Sequence, residues 1–117
     1  MTVTTDSHAA LYRNVPAHLV LPEEASVDIY WRAALLLLAR FGPNVTKVWD
    51  HVGPHGIDFA AMVEEPFSSG ELLVVLTARA LFTGDIYEGS LTELAFRLDA
   101  ESWTRLMAAF DVLHRQG

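Results

Sequence analysis

The chain has 117 residues, of which 51% are hydrophobic, and its eight basic and fifteen acidic residues give a net charge of −7. This length suits one domain with its own apolar core, and the absence of cysteine excludes disulfide bonds, thiolate nucleophiles and zinc–thiolate sites. An acidic chain is repelled by phosphate backbones, and no apolar run reaches the about 20 residues that cross a bilayer, which argues against nucleic-acid and membrane partners.

The N-terminal segment carries no sign of export. Residues 1–8 (MTVTTDSH) lack both the basic and the apolar region of a signal peptide, so we expect a cytoplasmic protein. We interpret these eight residues as a mobile tail ahead of a single helical domain that spans residues 9–117.

Two segments, 29–41 and 72–82, are apolar on almost every side of a helix. A helix of this kind is buried or faces a partner, because it has no polar face to turn towards water. Pro22, followed by two glutamates, predicts that the first long helix begins there. Gly42 and Pro43 predict its end.

Short elements are predicted between the two apolar segments. Asn44 and Asp58 are suitable caps for short helices over residues 45–51 and 59–65. The alternative is a β-hairpin in which 45–52 pairs with 57–63 across the Gly-Pro-His-Gly turn, because valine and tryptophan favour strands.

The second half of the chain contains three signals for helix starts. Ser68 with Glu71, and Ser90 with Glu93, fit the capping-box pattern S-x-x-E, and Asp99 is placed to cap the last helix. That helix carries apolar side chains at i, i+3, i+4, i+7 and i+10, which predicts that they form its buried face: Trp103, Leu106, Met107, Phe110 and Leu113.

The expected fold is therefore all-α. We predict a small bundle in which helices over 28–41, 71–83 and 100–115 form the core and two or three short helices cover its ends. The α+β arrangement with the 45–52/57–63 hairpin remains the alternative.

One segment, WDHVGPHGID, concentrates side chains that can bind metals or carry out acid–base chemistry: Asp50, His51, His55 and Asp58. Histidines at i and i+4 share a face only on a helix, and Gly53 and Pro54 interrupt one here. The competing interpretation is a polar surface turn. The chain has no nucleotide-binding or nucleophile-elbow motif, and we predict no cofactor.

An interface is expected on the first long helix. Tyr30 and Trp31 are neighbours, so they point about 100° apart and cannot enter one core layer together. Arg32 is a charge on an otherwise apolar helix and must reach water, pair or meet a partner. We therefore take these three residues as candidate interface residues.

Three functional hypotheses follow from these observations. The first is a non-enzymatic interaction module, an adaptor, regulator or accessory subunit, that forms a homo-oligomer or binds a larger protein. The second is a small-molecule binder, metal binder or small enzyme that uses the His51/His55 loop. The third is an acidic DNA mimic that inhibits a DNA-binding protein.

Overall fold

The computed structural model describes residues 14–84 and 91–116. The tail predicted for residues 1–8 and the proposed cap Ser90 lie outside the described residues. The helical fold class is confirmed, because six α-helices and two short 3-10 helices account for most of the described chain and the only strands described are two residues long.

Helix α1 (Ile29–Leu38) is the central element of the bundle. The prediction that it begins at Pro22 is wrong: a 3-10 helix occupies Glu23–Ser26, and α1 starts after Asp28. The Asp28 carboxylate accepts hydrogen bonds from the backbone N–H groups of Tyr30 (2.8 Å) and Trp31 (3.1 Å), which satisfies two of the free donors at the helix start.

The last turn after α1 is a 3-10 turn, which is wound more tightly than an α-helix. A 3-10 turn covers Ala39–Phe41, and Gly42 follows with φ +83°, a left-handed conformation that favours glycine. The carbonyl of Gly42 accepts a 2.7 Å bond from the indole N–H of Trp49, so this buried tryptophan has a partner for its polar atom.

The segment between the long helices combines both predicted arrangements. Short helices α2 (Thr46–Trp49) and α3 (Phe59–Met62) flank a hairpin of β1 (Val52–Gly53) and β2 (Gly56–Ile57), in which Val52 pairs with Ile57. The extended 45–52/57–63 hairpin is wrong, although its turn is correctly placed. Asp58 caps α3 through Ala61 N, whereas Val45 rather than Asn44 precedes α2.

Helix α4 (Ser69–Thr83) begins with a complete capping box. The Ser68 hydroxyl accepts from the Glu71 N–H (3.2 Å), and the Glu71 carboxylate accepts from the Ser68 N–H (2.9 Å). This bond from the Ser68 N–H is the main reason why the pKa of Glu71 lies below its ordinary value. The helix ends at Gly84, whose φ of +71° forms a left-handed C-cap.

Helices α5 (Leu91–Arg97) and α6 (Ala100–Gln116) complete the described chain. Asp99 accepts a 2.8 Å bond from the Ser102 N–H at the start of α6. Its other oxygen lies 2.8 Å from the Arg40 guanidinium. These two interactions, with the Ser102 N–H first, lower the pKa of Asp99 to about 2.

Helix α1 lies between α4 and α6 and packs more extensively on these two helices than on any other element. Residues 33–39 are almost completely buried, so the long apolar segment is covered by the chain's own helices. Within the described residues, none of the helices is both long and apolar enough to cross a membrane.

Candidate interaction surface

The face of α6 that packs on α1 is not its apolar face. The buried side chains of α6 are Ser102, Arg105, Leu106, Ala109 and Val112. Their spacing is i, i+3, i+4, i+7 and i+10, as predicted, but the pattern starts one residue earlier. A shift of one residue rotates the buried face by about 100° around the helix.

Two long-range polar contacts hold α6 in this orientation. Arg105, which is 5% exposed, donates to the carbonyl of Leu36 (3.2 Å) and pairs with Glu101 (3.1 Å). Arg40 donates to the hydroxyl of Ser102 (3.1 Å). The α-helical pattern of α1 tightens to 3-10 just after Leu36, where carbonyls of the last turn need partners, and Arg105 supplies one.

This orientation leaves three large apolar side chains at the surface. Trp103 is 39% exposed, Met107 38% and Phe110 46%. They are spaced i, i+4 and i+7, so they share one side of α6 and form what we call the α6 stripe. The prediction that these three residues belong to the core is wrong, and among the five residues of the predicted face only Leu106 is fully buried.

The α6 stripe borders an apolar groove of about 410 Å³. Among the described residues, side chains from four helices form its walls: Ile29 and Tyr30 of α1; Thr77, Ala80 and Leu81 of α4, with its cap Gly84; Leu91 and Leu94 of α5; Phe110 and Leu113 of α6. Tyr30 is 44% exposed and Leu91 73% exposed, so the apolar surface continues from the stripe across the groove.

Comparisons with family models, with characterised proteins and with solved structures return no match for this chain. Its function is therefore argued from its own surfaces and clefts.

The three candidate interface residues of α1 do not form one surface. Tyr30 lines the groove, and Arg32 lines a separate hollow beside Pro22. Trp31 is only 6% exposed, and its ring meets that of Phe82 edge-on with centroids 5.1 Å apart. Trp31 is thus a core residue, and only Tyr30 lies on the apolar surface described above.

The hairpin forms a second concave region, an open cleft of about 520 Å³. It brings together all four candidate residues of the WDHVGPHGID segment, Asp50, His51, His55 and Asp58. Glu24, Trp31 and Phe82 also line this cleft.

Two of the four candidate side chains of this cleft have structural partners. His51 Nε2 lies 2.7 Å from Glu65 Oε2, and Asp58 caps α3. In the described part of the chain, no three histidine, aspartate or glutamate side chains are arranged to hold a metal ion. The cleft is therefore a polar depression lined in part by aromatic side chains, without the ligand arrangement of a metal centre.

Half of the twelve acidic residues in the described part of the chain are engaged by cations of the same chain. Six of them form ion pairs or hydrogen bonds with basic side chains: Glu65 with His51, Glu71 with Lys47, Glu93 with Arg97, Asp99 with Arg40, Glu101 with Arg105, and Asp111 with Arg115. Since a DNA mimic must present its carboxylates to a partner, this pairing gives the mimicry hypothesis no support.

Proposed function

We propose that this chain is a non-enzymatic interaction module that self-associates through the α6 stripe and the adjoining groove. The observation that carries this proposal is the exposure of Trp103, Met107 and Phe110 on a helix whose opposite face is fully packed. Exposing three such side chains in one row to water does not stabilise a monomer. Contiguous apolar surface of this kind is typical of interaction sites.

The size of the surface is consistent with a dimer. Aromatic side chains bury about 150–250 Å² when fully covered, so at their observed exposures Trp103, Phe110 and Tyr30 still offer about 80 Å² each. With Met107 and Leu91 the apolar area reaches about 400 Å², about half of one partner's share in a standard interface. The remaining half is expected from the polar rim, as in other interfaces.

The test is the molar mass by light scattering after size-exclusion chromatography, from micromolar to several hundred micromolar protein. We expect a dimer for the wild-type chain and a monomer for Met107→Glu, because a carboxylate in the centre of an apolar interface would be buried without a partner. Val20→Glu is the matched control: Val20 is 65% exposed and adjoins Leu21, which lines the separate hollow beside Pro22, so this variant should remain dimeric.

Circular dichroism establishes that the variants retain their helices. A wild-type chain that is monomeric at every concentration contradicts the proposal, and so does a Met107→Glu variant that remains folded and dimeric.

The hairpin cleft supports a second candidate function, the binding of a small polar ligand. Its specific support is that Asp50, His51, His55 and Asp58 line one cleft together with Trp31 and Phe82, a combination of polar and aromatic side chains that is common in ligand sites. Thermal-shift measurements against small amines, carboxylates and divalent cations test it. A ligand that raises the melting temperature of the wild type but not of His55→Ala would favour it, and no shift with any ligand would exclude those classes.

A further inference from the structure

The order of residues along α6 also points to the geometry of the complex. We infer that the partner is a second copy of this chain and that the two α6 helices pack antiparallel about a two-fold axis at Met107. This inference rests on the proposed function, and it adds the relative direction of the two copies.

The stripe has the spacing of a helix–helix seam. Ala100, Met107 and His114 are separated by seven residues each, and Trp103 and Phe110 occupy the intervening positions, so these five residues follow one side of α6. Met107 is the middle residue of this seam. When the second copy runs in the opposite direction, Trp103 of one copy therefore lies opposite Phe110 of the other, and this aromatic contact forms twice, once on each side of the axis.

The helix dipole and the charges at the ends of α6 favour this direction. The first turn carries the acidic Glu101 and the last turn carries the basic His114 and Arg115, while Glu101 and Arg115 also pair within the helix with Arg105 and Asp111. An antiparallel pair sets the acidic end of each helix beside the basic end of the other and opposes the two helix dipoles. A parallel pair would place acidic end on acidic end in a chain whose net charge is already −7.

The groove provides a place for the largest side chain of the stripe. Phe110 belongs both to the stripe and to the wall of the 410 Å³ groove. A tryptophan that lies opposite Phe110 can therefore extend between Phe110, Tyr30 and Leu91 of the other copy. Burying an aromatic anchor in an apolar pocket is typical of the residues that dominate binding energy.

Disulfide cross-linking of single-cysteine variants tests the direction, and the chain suits this method because it contains no cysteine. The variants are Ala100→Cys and His114→Cys, both at exposed positions near opposite ends of the seam. In the antiparallel dimer each new cysteine lies about 20 Å along the helix axis from its own counterpart, far beyond the about 7 Å between Cα atoms that a disulfide allows.

We therefore expect neither variant to cross-link alone under mild oxidation and a mixture of the two to give the mixed disulfide dimer. Met107→Cys, on the axis, should cross-link with itself and is the positive control for the face. Val20→Cys, next to the separate hollow beside Pro22, should not cross-link and is the control for random collisions.

The possible failures are distinct. Self-linked Ala100→Cys and His114→Cys dimers without the mixed product would show a parallel pair, which overturns this inference and leaves the proposed self-association intact. A dimer by light scattering in which Met107→Cys does not cross-link would place the interface elsewhere and overturn both the inference and the role of the stripe. A monomer at all concentrations would overturn the proposed function itself.

Discussion

Arg105 is the residue whose replacement most directly tests the packing of α6. Its guanidinium is 5% exposed and bonds the Leu36 carbonyl across the interface between α6 and α1. A hydrogen bond from a charged donor contributes about 1.5–3 kcal/mol, and the pair with the more exposed Glu101 adds about 0.3–0.5 kcal/mol, the usual value for an i,i+4 pair. We therefore expect Arg105→Ala to lower the free energy of unfolding by about 2–3.5 kcal/mol.

A matched control lies on the neighbouring helix. Arg97 forms the same i,i+4 pair with Glu93, at 2.7 Å, but both side chains are largely exposed. Arg97→Ala should therefore cost no more than about 0.5 kcal/mol. Both variants are compared by urea unfolding at equal protein concentration, with tryptophan fluorescence as the signal and unchanged m-values as the check for two-state behaviour. If the two substitutions cost the same, Arg105 does not hold α6 on α1.

Three further predictions concern single positions. Trp103→Ala should lower the free energy of unfolding of the monomer by about 1 kcal/mol or less, whereas Leu106→Ala, at a fully buried site, should lower it by about 2–5 kcal/mol in urea melts. A larger loss for Trp103→Ala would show that Trp103 is a core residue. Gly84→Ala should destabilise the fold by about 1 kcal/mol because φ is +71° at this position. Gly70→Ala inside α4 should stabilise the fold by about 0.4–1 kcal/mol, because the new Cβ would enter open space. Thermal melts that rank the two variants in the opposite order refute this prediction. Asp99 has its pKa lowered from 3.8 to about 2, so its ionised form stabilises the fold above pH 3.8 and this contribution is lost as the pH falls through 2. Asparagine at position 99 remains a good cap, and the pair with Arg40 is half exposed, so the free energies of unfolding of wild type and Asp99→Asn should differ by under about 1 kcal/mol at neutral pH. This difference should vanish near pH 2. A difference that grows on acidification contradicts the lowered pKa of Asp99.

The parts of this fold that depend on neighbouring residues could be predicted from the sequence. The capping box of Ser68 and Glu71 and the cap of Asp58 require only side chains within three residues. The burial of 33–39 follows from the lack of any polar face on that helix. The same reasoning located the Gly53–Gly56 turn, although not the two-residue length of its strands.

The orientation of α6 could not be predicted in this way, because its buried face includes a serine and an arginine beside three apolar side chains. Ser102 and Arg105 are buried only because Arg40 and the Leu36 carbonyl, 62 and 69 residues away, meet their polar atoms. No periodicity in the sequence contains that information. The exposed stripe, and with it the candidate site, therefore required the structure.

The long separation between α1 and the helix that covers it also has a consequence for how the protein is made. The hydrogen bonds that join α1 and its 3-10 end to Asp99 and α6 link residues 59 to 69 positions apart. At about 5–20 residues per second, a ribosome needs about 3–14 s to extend the chain over that distance. During this interval the side of α1 that later packs on α6 is exposed to solvent, although α1 is almost wholly apolar. Chaperones that bind short apolar segments are thus expected to meet α1 before α6 does, and the yield of native protein should depend on translation speed downstream of Phe41.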